Sequence, residues 1–367
     1  MFKQYQLRDF RLRLVVFVYT ITIVGILVIG SAKAEFQSQQ VLGMALGTVI
    51  MLVFALTDYH LMMHCYWLIY IVNMALLLAV EFAGSSSNNA QRWLDLGFIR
   101  FQPSELTKLF LILFFARFFT KYKESINRFR VIIAAGVLLL VPLYLVKEQP
   151  DLSTTLTIAF VFCVLIFASG LSYKIIIGVM AVMIPSAVVF INLIMQEGQQ
   201  ILDDYQFRRI MAWLNPTEYA DDAYQQQNSI IAIGSGQLYG KGLYNNDISS
   251  VKNGNFIVEP QTDFIFAVTG EELGFIGCAA VIILLALIVM ECLWIGKNAR
   301  EKEGMIICCG FSGLIAFQSL VNISVATGLM PNTGIPLPFV SYGLTSLVML
   351  YMGVGIVLNV GLQPRKY

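Results

Sequence analysis

The sequence predicts an all-α protein: a polytopic membrane bundle of about ten transmembrane helices with a large structured extracytoplasmic loop. The first observation behind this class is composition. Of 367 residues, 57% are hydrophobic and only 13% are charged, whereas a soluble domain carries roughly 25% charged residues. The second is that the apolar residues gather into long runs, and about 20 such residues are needed to cross a bilayer. The bundle surface must therefore face lipid.

Ten apolar segments account for the predicted spans. The first segment exceeds the roughly 7–15 apolar residues of a signal-peptide core, so we expect it to remain as a span. The six cysteines lie inside apolar runs and are interpreted as small hydrophobic residues. The chain is treated as one integral membrane domain, residues 1–367. The spans are predicted at 11–31, 39–57, 61–82, 104–120, 130–147, 152–169, 172–195, 264–296, 304–328 and 338–361.

The distribution of basic residues predicts the orientation of the bundle, because short cytoplasmic loops are enriched in Lys and Arg. With the N-terminus inside, 15 of the 24 Lys and Arg residues lie in the cytoplasm, and four of the other nine lie in one long loop. Both termini are therefore predicted to be cytoplasmic. The 24 basic residues nearly balance 23 acidic ones, so no nucleic-acid partner is expected.

Two polar segments on the outer side are large enough to build a site. They are residues 82–103 and the extracytoplasmic loop 196–262, which is rich in Asp, Asn, Gln, Tyr and Gly. A loop of this length in a compact bundle is commonly functional or disordered. A helix-compatible stretch at 224–234 and the glycines that follow it favour packed structure. Any chemistry is therefore expected outside.

Ionisable residues beside membrane spans are candidate functional groups because charge is costly there. Glu105 and Lys108 lie one helical turn apart at the start of the fourth span. They could neutralise each other as an i,i+3 pair or contact a substrate. Asp151 precedes Leu152-Ser153-Thr154 and fits a helix N-cap. His60 and His64 are interpreted as interfacial polar residues, since no third metal ligand accompanies them.

Asp263 is the sharpest candidate. It opens the eighth span, where it could cap the helix or act in catalysis. On an ideal helix Gly270 and Gly274 lie on the same face as Asp263, with Gly277 close by. Such a stripe permits close helix packing or leaves a groove for a lipid. The chain has no phosphate-binding P-loop, no dinucleotide fingerprint and no nucleophile elbow.

Five motifs in order along the chain resemble the SEDS family (shape, elongation, division and sporulation). The stretch 334–339, Gly-Ile-Pro-Leu-Pro-Phe, resembles RodA, the elongation branch, more than FtsW, the division branch. Two departures occur: Leu344-Thr345 follows Gly343 where the family has Gly-Ser, and the spacer before Thr262 is shortened. The five motifs are Arg92-Trp93, residues 101–108, residues 149–152, residues 262–274 and residues 331–342.

The resemblance implies a bacterial peptidoglycan glycosyltransferase in the cytoplasmic (inner) membrane that polymerises lipid II by an inverting reaction. Lipid II is an undecaprenyl-pyrophosphate-linked disaccharide pentapeptide. The implied partner is a class B penicillin-binding protein. Since the diphosphate is a good leaving group, one base and a cationic clamp suffice. Asp263 is the expected base. A divalent cation, Mg²⁺ or Mn²⁺, remains open. The candidate substrate-binding residues are Arg92, Glu105, Lys108, Lys147, Asp151, Arg208, Arg209, Lys241 and Ser341.

Two alternatives remain at this point. The first is a transporter that flips lipid II; it would need polar groups in the cytoplasmic half of the bundle, where the sequence offers little. The second is a noncatalytic scaffold for a penicillin-binding protein, which leaves Asp263 unexplained.

Overall fold

A computed structural model describes residues 10–87, 90–95, 97, 100–194, 204–245, 250, 254 and 256–363. Lys3, Arg8, Arg365 and Lys366, which contributed to the predicted orientation, lie outside them. The helices of the described residues are α1 (Leu12–Ala32), α2 (Gln37–Leu56), α3 (Tyr59–His64), α4 (Tyr66–Ala83), α5 (Pro103–Lys121), α6 (Phe129–Glu148), α7 (Leu152–Ala168), α8 (Tyr173–Ile194), α9 (Asp204–Leu214), α10 (Ala220–Ser235), α11 (Ile265–Lys297), α12 (Lys302–Ala326) and α13 (Leu344–Gly361).

The predicted membrane class is confirmed. Each of the ten predicted segments contains a described apolar helix. By length and composition, α1, α2, α6, α11, α12 and α13 can cross a membrane, and shorter apolar stretches lie in α4, α7 and α8. Helix α5 carries four charged side chains, yet it runs through the core, where Leu109, Ile112 and Phe114 are fully buried. Its charges lie near its two ends.

Three predicted spans differ from the structure, and the eighth, which is interrupted at Gly274, is described below. The third is broken at Cys65, whose backbone leaves the helical region between α3 and α4. The tenth begins at Leu344 rather than at residue 338. Pro336 and Pro338 lack the backbone N–H that a helix needs, and Gly343 forms the N-cap. The residues before Leu344 are therefore free to line a site.

The polar segments contain structure that the sequence only partly indicated. Three short strands, β1 (Ser85–Ser87), β2 (Ala90–Asp95) and β3 (Arg100–Phe101), pair in a small antiparallel sheet, which the all-α prediction missed. The long loop contains α10, as its helix-compatible stretch predicted, and also α9. Parts of this loop, 196–203, 246–249, 251–253 and 255, lie outside the described residues.

Small residues let the central helices pack closely, as membrane bundles require. Helices α2 and α13 meet where Gly47 faces Tyr351, and a Cβ on Gly47 would lie 2.8 Å from that ring. A Cβ on Gly355 of α13 would similarly approach the Met51 carbonyl oxygen. Larger residues at either glycine would push the two helices apart.

The glycines of α11 also serve packing. Gly274 interrupts the helix with a φ of 64°, so the predicted straight stripe does not continue to Gly277. The turn after α10 fills the break, because Phe275 N donates to Gln237 O at 2.8 Å and Lys241 N donates to Glu271 O at 2.9 Å. The lipid-groove interpretation of these glycines is wrong, and the close-packing interpretation is confirmed.

The two ends of the described chain lie together at one end of the bundle. The Arg11 guanidinium stacks 3.6 Å from the ring centroid of Trp294, near the end of α11. Gln363 Nε2 donates to Asp58 Oδ1 at 3.1 Å, in the connection between α2 and α3. Helices α5, α7, α11 and α13 all begin at the opposite end. An even number of crossings between the two chain ends agrees with this arrangement.

Candidate active site

A polar cavity of about 1500 Å³ lies among the first turns of α5, α7, α11 and α13. Its remaining walls come from β2, the start of α2, α9, α12 and the segment before α13. Among the site residues proposed from the sequence, it brings together Asp263, Arg92, Glu105, Lys108, Asp151 and Arg209.

Asp263 has a firmly held main chain and a carboxylate directed toward the cavity. Asn322 Nδ2 donates to the Asp263 carbonyl oxygen and to Ile335 O, both at 2.8 Å. The α11 N-cap is Phe264, and α11 has no side-chain cap, so the capping role considered for Asp263 is wrong. Within the described part of the chain, the carboxylate has no hydrogen bond or ion pair. It is therefore available to a ligand.

Gly334 makes room for this carboxylate. Its φ is 72°, and a Cβ added there would lie 3.4 Å from Asp263 Oδ2. A left-handed backbone of this kind disfavours other residues. In the loop before α13, Gly334 thus places main chain without a side chain next to the Asp263 carboxylate.

Burial raises the pKa of the Asp263 carboxyl above its usual value. The positive charges of Arg209 and Arg92 lower the pKa, whereas Glu259 and Asp151 raise it further. A carboxylate with a raised pKa is a stronger base when ionised. Asp263 is half-buried on the cavity wall, and loss of hydration of the charged form is the largest cause of the raised pKa.

Asp151 lies on the same cavity and is fully engaged. Its Oδ1 accepts from Thr154 N at 3.1 Å, which confirms the predicted N-cap of α7. Its Oδ2 accepts from Thr154 Oγ1 at 2.8 Å and from Gln102 Nε2 at 3.3 Å. The residue is 3% exposed. These bonds tie the start of α7 to the start of α5.

Glu105 and Lys108 form a buried ion pair at the base of the cavity. Lys108 Nζ donates to Glu105 Oε1 at 2.7 Å, with side-chain exposures of 1% and 6%. Removing the positive partner would leave a buried negative charge without compensation. Glu105 and Lys108 thus neutralise each other, as their i,i+3 spacing allowed. Both residues also border the cavity.

Arg92 and Arg209 are the two cations whose charges lower the pKa of Asp263. Arg92 Nε donates to Gln149 O at 2.9 Å, and a second nitrogen donates to Pro150 O. The guanidinium therefore fixes the corner between α6 and α7. Arg209 is exposed and lies 5.8 Å from the ring centroid of Tyr205. It is the freer of the two to meet an anion.

Four predicted binding residues do not line the cavity. Lys147 is exposed near the end of α6. Arg208 pairs with Asp222 at 2.9 Å. Lys241 pairs with Glu271 at 2.8 Å. Ser341 Oγ donates to Thr262 O at 2.7 Å and accepts from Leu337 N at 2.8 Å, so it joins two loops beside the acid.

The N-terminal ends of three helices add a positive electrostatic field at the cavity, which the sequence motifs did not predict. Three helices that begin at the cavity, α5, α11 and α13, have no side-chain N-cap. Their first N–H groups and their dipoles favour a negative ligand. Sequence reasoning also missed Gln318 of α12, which lines the cavity but carries no charge to single it out.

The family model for FtsW, RodA and SpoVE, described as a cell cycle protein, matches residues 8–366. The chain belongs to this family. The resemblance drawn from the five motifs is thereby confirmed. Peptidoglycan glycosyltransferase MrdB of Escherichia coli (strain K12) is 36% identical over 340 residues, covering 91% of this chain and 88% of MrdB. Stage V sporulation protein E of Bacillus subtilis (strain 168) is 31% identical over 378 residues, covering 96% and 97%.

Solved structures of other proteins share this fold. A chain of a peptidoglycan synthase complex that coordinates polymerization and crosslinking matches with a TM-score of 0.78 and 28% identity, over 96% of this chain and 97% of that one. The rod shape determining protein RodA of Thermus thermophilus matches with a TM-score of 0.69 and 27% identity, over 96% of both chains.

Proposed function

We propose that this protein is a peptidoglycan glycosyltransferase that polymerises lipid II on the outer face of the bacterial cytoplasmic membrane, in support of cell elongation. The observation that carries the proposal is the Asp263 carboxylate, which lacks a partner among the described residues and faces a cavity bordered by cations and uncapped helix starts. The names of the relatives support the same activity. Both termini are then cytoplasmic.

In this reaction Asp263 removes the proton from the acceptor hydroxyl. The oxygen attacks the anomeric carbon with inversion, and the bond from that carbon to the diphosphate oxygen breaks. A diphosphate is a good leaving group, so no protonating second carboxylate is needed, unlike in glycosidases. Arg209, Arg92 and the helix starts offset the negative charge of the departing diphosphate. Gly334 leaves space for the acceptor beside the base.

No step of this mechanism uses a metal. Within the described residues, no three acidic, His or Cys side chains come together to hold a metal ion. The donor set thus lacks a protein cage for Mg²⁺ or Mn²⁺. A divalent cation remains an expectation that polymerisation assays with and without chelator can address.

The transporter alternative gains little support. Below Lys108, the α5 residues Leu109 and 111–115 are apolar and buried. A flippase needs a polar route for the headgroup through that half of the bundle. The scaffold alternative gives no reason for a carboxylate that lines a cavity and has no hydrogen-bond partner among the described residues. The polymerase accounts for both features.

We also infer that the protein works with a class B penicillin-binding protein, which would cross-link the new strands. The match to a chain of a peptidoglycan synthase complex supports this. Helix contacts in the membrane depend on close packing of small residues, so we expect the two proteins to co-purify in mild detergent. Full polymerase activity without any gain from such a partner would count against the pairing.

The test is polymerisation of purified lipid II by the purified protein with its partner. We expect glycan strands from the wild type and almost none from Asp263→Asn. A parallel assay in sealed vesicles follows movement of lipid II across the membrane. Rapid movement without polymer would replace the polymerase with the transporter.

A further inference from the structure

Gln318 lies in the second half of α12, four residues before Asn322 and therefore on the same helix face. Its side chain borders the cavity and the residue is only 3% exposed. Asn322 is level with Asp263, whose carbonyl oxygen it binds. Gln318 thus sits about one helical turn, roughly 6 Å, deeper in the bundle than the proposed base.

The Gln318 amide has no hydrogen-bond partner among the described residues. The polar atoms of this amide are not fully enclosed by protein. Its small accessible area opens on the cavity. Two other buried amides of the bundle bind main chain: Gln226 Nε2 donates to Val325 O at 2.8 Å, and Asn359 Nδ2 donates to Ala55 O at 2.8 Å. Gln318 differs from them in keeping its amide for the cavity.

A buried amide without a partner is costly at membrane depth. Packing does not account for it, since Leu or Met would fill similar space without that cost. The nearby cavity hydroxyls do not satisfy it either: Thr154 Oγ1 donates to Asp151 and Thr157 Oγ1 donates to Ser153 O. An amide of this kind is expected to bind a ligand.

The chemistry of the amide selects the part of the ligand. A neutral carboxamide donates through nitrogen and accepts through oxygen, which matches sugar hydroxyl and acetamido groups. A diphosphate only accepts, and it is better served by Arg209, Arg92 and the helix starts. Within the proposed polymerase function, on which this inference rests, we propose that Gln318 binds the carbohydrate portion of the lipid-linked substrate.

The experiment measures binding, so it does not depend on turnover. Full-length protein in nanodiscs is titrated with lipid II and, separately, with undecaprenyl diphosphate, which has no sugar. The variant Gln318→Met keeps the side-chain length and removes both hydrogen-bonding groups. The matched control is Ser319→Ala, because Ser319 is buried on the same turn and its hydroxyl only donates to Ile315 O at 2.7 Å within α12.

We expect Gln318→Met to weaken lipid II binding by about threefold to thirtyfold, as loss of one or two hydrogen bonds would. Binding of undecaprenyl diphosphate should be unchanged, and Ser319→Ala should bind both ligands like the wild type. Melting of Gln318→Met should match or exceed the wild type, since an unpaired amide has been removed.

Three results would overturn the assignment. They are equal binding of lipid II by Gln318→Met and wild type, equal weakening for both ligands, and no preference of the wild type for the sugar-bearing lipid. A separate outcome bears only on the proposed function. If the wild type binds lipid II through Gln318 but forms no polymer, the sugar contact stands and the polymerase proposal fails.

Discussion

An aspartate lies at the start of α7 and another just before α11, and both line the same cavity. Their side chains differ in hydrogen bonding. At α7, Asp151 caps the helix and accepts hydrogen bonds from four side chains, those of Gln102, Ser104, Ser153 and Thr154. At α11, the side chain of Asp263 accepts none among the described residues. The Asp151 carboxylate stabilises the cavity wall, whereas the Asp263 carboxylate is available for catalysis. The two aspartates occupy similar positions at helix starts, and they differ in the hydrogen bonds that their side chains accept.

The largest expected effect lies on the structural side of this comparison. Lys108→Met leaves Glu105 buried without its positive partner, and we expect a loss of about 3–5 kcal/mol in stability. Thermal unfolding in detergent measures it. The double variant Lys108→Met with Glu105→Leu should recover much of the loss. Wild-type melting of the single variant would show that the pair is not structural.

Replacing the capping acid should have the next largest effect. Asp151→Ala removes the cap of α7 and its links to α5, so we expect a loss of about 1–3 kcal/mol. Asp263→Ala, measured in the same melting experiment, should change stability by much less. If both variants lose the same stability, the proposed contrast between the two acids is wrong.

The glycine that faces the acid gives a smaller effect. Gly334→Ala combines a positive φ with a contact on the carboxylate, so we expect a stability loss of about 1–2 kcal/mol together with lower polymerase activity. Gly136→Ala is the control. Gly136 lies inside α6 with open space around its Cβ position, and alanine there should stabilise the helix by up to about 1 kcal/mol. Equal behaviour of the two variants would remove the special role of Gly334.

The smallest expected effect is a shift in pH dependence. The positive charge of Arg209 lowers the pKa of Asp263. Arg209→Gln should therefore raise that pKa and move the acid limb of the pH–rate profile to higher pH. Arg208→Gln is the neighbouring control, since Arg208 pairs with Asp222 away from the cavity. A shift to lower pH, or the same shift in both variants, would contradict the electrostatic account.

Apolar periodicity was sufficient to predict the membrane class and the approximate positions of the spans. The motifs were sufficient to predict Asp263, Glu105, Lys108, Asp151 and Arg92 as site residues, and Arg209 was predicted as a cation of the outer side. All six line one cavity, because the first turns of several helices meet at the same end of the bundle. These side chains could be found because charge beside a membrane span is conspicuous.

The remaining features depend on tertiary contacts that spacing does not encode. The break at Gly274 exists because the turn after α10 supplies the missing hydrogen bonds. The assumption of an ideal helix therefore predicted a groove where α11 instead packs against this turn. Lys241 was expected near substrate but pairs with Glu271, and Ser341 joins two loops. Gln318 had no signal in a single sequence, since an uncharged residue within an apolar span attracts no attention.

The central claim is that the free Asp263 carboxylate is the general base. The most direct measurement is the turnover number of Asp263→Asn on lipid II, with the melting temperature recorded on the same preparation. We predict a fall of about 10²–10⁴-fold in turnover with melting close to the wild type, because the carboxylate makes no hydrogen bond with the described residues that asparagine would lose. Turnover within about threefold of the wild type would contradict the account.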